Sequence, residues 1–312
     1  MASGQKLLQN RVAESGLTLP VTTAYALLVW VLAGLVTQGW WVQLACLMAN
    51  IYAMMELSNS NALLRVRSRM VSTTFLALSC AASFLFPSLR GSLFSLLFTV
   101  ALIPLFRSYQ NPNGQGDVFF AFFFIGAASL CHVHIFYFVP VLWILMFFNL
   151  QALNSRSWMA TLIGLLTPYW FLMPWIVFTD NWQLAFDHFA PLADFCFPIR
   201  YAVFTPAVLF TVLFIIVFAN IGLFNFWSKS FEDRIRVRQI YSFFAILGWC
   251  AIVFLLFQPQ HYDLSIRLMI IAASPFVAHF FTHTGTKFTN ILFLCSCLVA
   301  ILLTILALSA LK

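Results

Sequence analysis

Eleven apolar runs, separated by connections too short to hold a soluble domain, limit what this chain can fold into more than any other feature. They fall at about residues 20–37, 41–57, 70–86, 91–106, 118–133, 134–150, 158–178, 202–224, 240–257, 266–283 and 288–310. A helix needs roughly 17–25 apolar residues to cross a bilayer. The expected fold is therefore all-α: a polytopic integral membrane protein of about eleven transmembrane helices, one transmembrane helical domain over residues 1–312. Charge content agrees. Only 8% of residues are charged and mean hydropathy is +0.95, whereas a soluble domain carries roughly 25% charged residues. Lipid must then be part of the solvent. The 37 Phe and 10 Trp suit lipid-facing and interfacial positions.

Lysine and arginine sort by side. With the N-terminus inside, the inner loops hold Lys6, Arg11, Arg65, Arg67, Arg69, Arg107, Arg156, Lys229, Arg234, Arg236, Arg238 and Lys287. The outer side holds only Arg90, Arg200, Arg267 and Lys312. This bias in short loops orients membrane helices and places the C-terminus outside. It depends on dividing residues 118–150 at His132–His134, because a single span there would swap every later loop. The segment from Met1 to Leu19 is expected to lead into an uncleaved first helix. Pro104, Pro140, Pro168, Pro174, Pro206 and Pro275 fall inside runs and predict kinks. The run holding Gly164, Pro168 and Pro174 should be the most distorted. The net charge of +7 sits in short loops, so no basic face exists for nucleic acid.

The longest outer connection, residues 179–201, carries Asp180, Asp187 and Asp194 at intervals of seven. Asp180 and Asp187 share one helical face. Residues 181–189 are expected to form an interfacial amphipathic helix, interrupted at Pro191. Its acids are either solvated or part of an aromatic-lined site in which Asp is a base or metal ligand and Arg200 meets an anion. His261, Asp263 and Arg267 stand on the same outer side, as do His132 and His134. On the inner side, Arg65, Arg67, Arg69, Arg234, Arg236 and Arg238 are candidates for anionic lipid head groups or plain topological anchors. Glu56 is expected to pair with Arg65, Arg67 or Arg69. His279 and His283 have the spacing of metal ligands, but His132 and His134 lie a bilayer thickness of roughly 30 Å away. No shared ion is expected, so the expectation is no metal and no cofactor. The seven Cys read as small hydrophobes in or beside the runs. There is no P-loop, GxGxxG or GxSxG motif and no carboxylate pair in mid-run, so no catalytic residue is assigned. The expected partners are membrane lipids and other envelope membrane proteins.

Asn59-Ser-Asn-Ala-Leu-Leu-Arg65 and Leu162-Ile-Gly-Leu-Leu-Thr-Pro-Tyr-Trp170 carry a resemblance to an uncharacterised family, a domain of unknown function, of polytopic inner-membrane proteins from Gram-negative bacteria. More distantly, Gly126-Ala-Ala-Ser-Leu130 and the aromatic-rich run after it resemble the membrane portion of GT-C-type glycosyltransferases. Those enzymes usually carry their catalytic acid in the first outer loop. That loop here is Gln38-Gly-Trp40 and has none, so no catalytic residue transfers. The family resemblance implies an accessory protein or complex subunit of the bacterial inner membrane. The alternatives are handling of lipid-linked sugars at the outer face and small-molecule transport. A cavity joining one of the three loop acids to Arg200 or Arg267 would favour lipid-linked sugars. A mid-membrane cavity with broken helices would favour transport, and a solid bundle the accessory role.

Overall fold

The computed structural model describes residues 7–66, 68–194 and 201–311, and every regular element among them is helical. In order these are α1 (Leu8–Glu14), α2 (Thr18–Ala33), α3 (Leu35–Gln38), α4 (Trp41–Asn61), α5 (Met70–Ala81), α6 (Leu89–Arg107) and α7 (Gln115–Cys131). Then follow α8 (Val139–Phe148), α9 (Ser155–Thr179), α10 (Trp182–Phe189), α11 (Pro206–Lys229), α12 (Ile235–Phe257), α13 (Tyr262–His283) and α14 (Lys287–Ser309). Six of them, α6, α9 and α11 to α14, are each long and apolar enough to cross a membrane. The pair α1–α2 would add a seventh, although its members meet at 92°. The chain is thus a multi-pass helical membrane protein. The other predicted runs are also helical but shorter or more polar. Helix α5 has 12 residues, and α4 buries Gln43, Asn50, Ser58 and Asn61.

The division at His132–His134 is physical. Helix α7 stops at Cys131, a 3-10 turn covers Val133–Phe138, and α8 leads back. The Gln110 amide donates to the Leu150 carbonyl at 2.9 Å, and Asn154 Nδ2 to the Pro112 carbonyl at 3.3 Å. Both ends of residues 111–150 therefore sit together, and the segment is a hairpin.

The connections gather at two ends of the bundle. At the basic end, Arg65 from the α4–α5 loop binds Glu232 and Asp233 from the α11–α12 loop. Arg236 there donates to Asn61 Oδ1 and to the Phe106 carbonyl, both at 3.0 Å. At the opposite end, the α5–α6, α7–α8 and α12–α13 connections meet around Asp263.

Helix α13 is the axis. It runs from a half-buried first turn into an interior sealed on every side, with Ile266 through Thr282 buried apart from Arg267. A helix that is apolar all round belongs in such a place. Small residues (Ala272, Ala273, Ser274, Ala278) let α5, α11 and α12 approach it.

Helix α9 is held differently. It crosses α7 where two glycines face backbone. A Cβ on Gly126 would lie 2.6 Å from the Leu165 carbonyl oxygen, and one on Gly164 would lie 2.6 Å from that of Phe119. These glycines come from two of the three segments that carried the resemblances. Beyond the crossing, Trp170, Phe171, Trp175 and Phe178 point outward and are largely exposed. The predicted kinks need correction at two sites. Pro140 and Pro206 lie in the first turns of α8 and α11, where the missing amide costs nothing. Pro168 and Pro174 do lie inside α9, yet its helix is continuous from Ser155 to Thr179.

Substituting Gly126→Val or Gly164→Val is expected to lower stability by about 1–3 kcal/mol, because a buried contact must open. Thermal unfolding in detergent checks this. Ala substitutions at exposed Phe171 or Phe178 of the same helix should leave the midpoint nearly unchanged.

Candidate functional site

The site begins with an ion pair in the first turns of α13. Asp263 and Arg267 are four residues apart, so they share one helical face. Arg267 Nε donates to Asp263 Oδ1 at 2.8 Å. Ser88, which caps α6 by accepting from the Gly91 amide, donates its hydroxyl to Asp263 Oδ2 at 2.9 Å. Arg267 Nη2 reaches the Leu85 carbonyl at 2.6 Å. Gly91 leaves the room required: a Cβ there would sit 2.3 Å from Asp263 Oδ2. The pair is mostly buried, with side-chain exposures of 21% for Asp263 and 11% for Arg267.

His132 stands on this base. It ends α7 in an extended conformation, and its Nε2 lies 3.4 Å from Asp263 Oδ2. His134, two residues on, stacks on His261 with ring centroids 3.6 Å apart. His134 Nε2 is 3.3 Å from the Pro191 carbonyl. The Tyr137 hydroxyl donates to the Leu192 carbonyl. These contacts tie the chain after α10 to the 3-10 turn between α7 and α8.

Above the histidines lies a cavity of about 1050 Å³, larger than the roughly 300–1,000 Å³ usual for small-ligand sites. One wall is hydrocarbon from α9, including Leu165, Leu166, Met173 and Ile176. The other presents Arg90, His132, His134 and His261. Helix α10 closes the rim with Asp187 and His188. The Tyr169 hydroxyl lies 3.3 Å from His188 Nε2 and 2.6 Å from the Ser129 hydroxyl. Burial pushes the His188 pKa below its ordinary value, and the nearby Arg90 charge adds to that.

Of the residues proposed from sequence on this side, Asp187 and His261 enter the cavity. Asp263 and Arg267 stand behind it and hold His132. Asp180 instead ends α9 in a left-handed conformation (φ 49°) and is exposed. Asp194 is exposed outside the lining, and Arg200 falls outside the described residues. The segment Trp182–Phe189 is a helix with no buried residue. Arg90, Tyr169 and His188 are the additions. Only their fold neighbours mark them, since nothing local distinguishes Arg90 from a helix-start cation.

At the basic end, Arg65 grips Asp233 with Nε and Nη2 at 2.7 and 3.0 Å. Burial alone would raise the Asp233 pKa, but the Arg65 hydrogen bonds and the nearby His279 hold it below the usual carboxylate value. His279 is fully buried, with Nε2 3.4 Å from Asp233 Oδ2 and its ring 4.5 Å from that of His283. The expected partner for Arg65 was Glu56, and the loop acids stand there instead. Arg236 is spent on Asn61, Phe106 and a position 5.7 Å over the Tyr109 ring. Arg69 and Arg234 remain exposed and Arg238 half-buried. Arg67 lies outside the described residues. Among the described residues no group of three or more His, Cys, Asp or Glu is arranged to hold a metal ion.

Fold and surface together define the class, a multi-pass helical membrane protein with a largely apolar cavity at one end whose lining includes Arg90 and four histidines. The chain matches no family model, and neither a curated protein nor a solved structure matches it.

Asp263→Asn is expected to cost about 3 kcal/mol of stability, since it leaves the Arg267 guanidinium unpaired in a mostly buried place. Thermal unfolding in detergent measures it. The double variant Asp263→Asn with Arg267→Met should recover a substantial part of the loss.

Proposed function

We propose that this protein is a lipid-handling protein of the bacterial inner membrane, and that its cavity takes an amphiphile with a phosphorylated or otherwise anionic head. The observation that carries the reading is the division of one cavity into two surfaces. The α9 wall offers mostly carbon to a tail, its Tyr169 hydroxyl being engaged by Ser129 and His188, and the facing wall adds a guanidinium and imidazoles for a head. Arg is suited to phosphate because its fork donates two parallel hydrogen bonds. Helix α10, with Trp182 and Phe186 exposed, lies in the head-group layer in this reading.

All eleven apolar segments cross or enter the membrane in this view, with the basic end in the cytoplasm and the cavity at the outer face. The gathering of Arg65, Arg69, Arg107, Lys229, Arg234, Arg236, Arg238 and Lys287 in connections of one end supports it. An enzymatic version, GT-C-like transfer to or from a lipid-linked sugar, draws support from Asp187 in the rim and from the carboxylate behind His132. These supply a candidate acid and an oriented base. Of the cations proposed from sequence beside the loop acids, Arg267 lies beneath the cavity and Arg200 falls outside the described residues, and among the described residues the cavity arginine is Arg90.

Topology is checked with cysteines introduced into a background lacking the native ones. Ser68→Cys, Asn113→Cys and Ser230→Cys should be shielded from an impermeant thiol reagent in intact cells, and Asn181→Cys labelled. The reverse pattern contradicts the assignment.

Binding is checked with polyprenyl phosphate and the uncharged polyprenol, added to purified protein in detergent. The phosphate form should bind preferentially, and Arg90→Gln should weaken it about tenfold, the worth of one charge-assisted contact. Affinity should rise as pH falls below the ordinary imidazole range, because an anion favours protonated His188. His188→Gln should flatten that rise. Equal affinity for the phosphate and the alcohol overturns the reading.

A further inference from the structure

A second cavity, of about 490 Å³, lies at the other end of the molecule, among α1, α2, α5, α11, α13 and α14. It exists because α1 turns through 92° from α2 and lies across the helix ends. Its walls contain several hydroxyls, yet these are already satisfied. Thr18 donates to the Val12 and Ser15 carbonyls, and Thr22 to that of Thr18. Thr73 donates to the Arg69 carbonyl, Thr74 to those of Met70 and Ser274, and Ser296 to that of Phe293. These threonine and serine hydroxyls are turned back onto helix backbone, so the inner surface offered to a guest is chiefly methyl, methylene and the rings of Phe214, Phe218 and Phe281. Such a surface binds hydrocarbon and discriminates against anything needing a hydrogen bond.

The mouth has the opposite character. Arg11 of α1 lies in the lining and is exposed. Arg69 directly precedes Met70, which lines the cavity, and Lys287 opens α14, whose next turns line it. Glu14 is the carboxylate on the same short helix. Hydrocarbon within and cations outside, at the level where an apolar helix meets its polar cap, match the two parts of a phospholipid.

We propose that this cleft holds one acyl chain of an anionic membrane phospholipid, with its phosphate at Arg11. The inference rests on the multi-pass membrane class and on none of the residues of the α9 cavity. A bound chain would fill the space beneath α1 and fix α1 against α13 and α14, which it touches through Gln9 at Thr284, Thr289 and Asn290.

The test uses the unmodified protein in vesicles of phosphatidylcholine containing phosphatidylglycerol whose acyl chain carries a photoactivatable diazirine. Crosslinks should concentrate in residues 70–78, 277–281 and 293–300. Crosslinks confined to the outer surfaces of α9 or α14, or equal labelling from a phosphatidylcholine probe, overturn the proposal. Native mass spectrometry gives the second reading. The wild type should retain one phosphatidylglycerol in preference to phosphatidylcholine, and Arg11→Gln should reduce that preference about fivefold, the effect of one interfacial cation. Ala77→Phe should abolish retention of both lipids while the protein still unfolds cooperatively. Unchanged preference in Arg11→Gln contradicts the role of the cation. Unchanged retention in a folded Ala77→Phe contradicts the site.

Discussion

Helix α13 carries polar side chains at both ends of a segment that apolar helices enclose on every side, and this constraint governs the rest. A charge in such surroundings is tolerable only with a partner. At one end Asp263 is matched to Arg267 and capped by Ser88. Toward the other end, His279 meets Asp233, which is itself held by Arg65. These contacts reach from α13 to the start of α6 and to the α4–α5 and α11–α12 connections. Sliding α13 by one turn, about 5.4 Å, would leave the Asp263–Arg267 pair intact but break its contacts to Ser88 and the Leu85 carbonyl, together with the approach of His279 to Asp233. The register of the bundle is thus set by polar pairs, while apolar packing supplies the bulk of the contact.

The cavity follows from that arrangement and from the two-glycine crossing. The α13 ion pair stands behind His132, whose Nε2 is 3.4 Å from Asp263 Oδ2, at the turn where α7 ends and α8 starts. Helix α9 is drawn close to α7 at Gly126 and Gly164 and is tied again by Tyr169 to Ser129, but from Trp170 onward several of its aromatic side chains face outward. The gap between that outer half and the histidine turn is the cavity, and α10 lies across its rim. A space built this way is lined mostly by hydrocarbon, with Arg90 and the histidines gathered on the side facing α9. That division underlies the amphiphile reading.

Much of the architecture was legible in the chain. The apolar runs are largely helical, although six helices, or seven with α1–α2, rather than eleven are long and apolar enough to cross a membrane, and the break at His132–His134 was legible in the charge pattern. Pro140 and Pro206 were misplaced because run ends are blurred by several residues, so a first-turn proline resembles an interior one. The α1–α2 bend left little trace, since Ser15-Gly-Leu17 is an ordinary interruption. Sites were harder. The i,i+4 spacing of Asp263 and Arg267 is local and readable. Asp233 against His279, or Arg90 beside His188, joins residues far apart in sequence, and only helix packing brings them together. The inner arginines looked equivalent, yet their contacts divide them: Arg65 and Arg236 are committed to protein partners, and Arg69 and Arg234 are exposed.

The central claim is that the cavity beside α9 receives an amphiphile, head toward Arg90 and tail along Leu165 to Ile176. A cryo-electron microscopy map of the protein in native-lipid nanodiscs tests it most directly. The account predicts elongated density running along α9, with a rounded feature in contact with Arg90 and the His132–His134 turn. Collapse of α9 and α10 onto that turn, leaving no space between them, would contradict it.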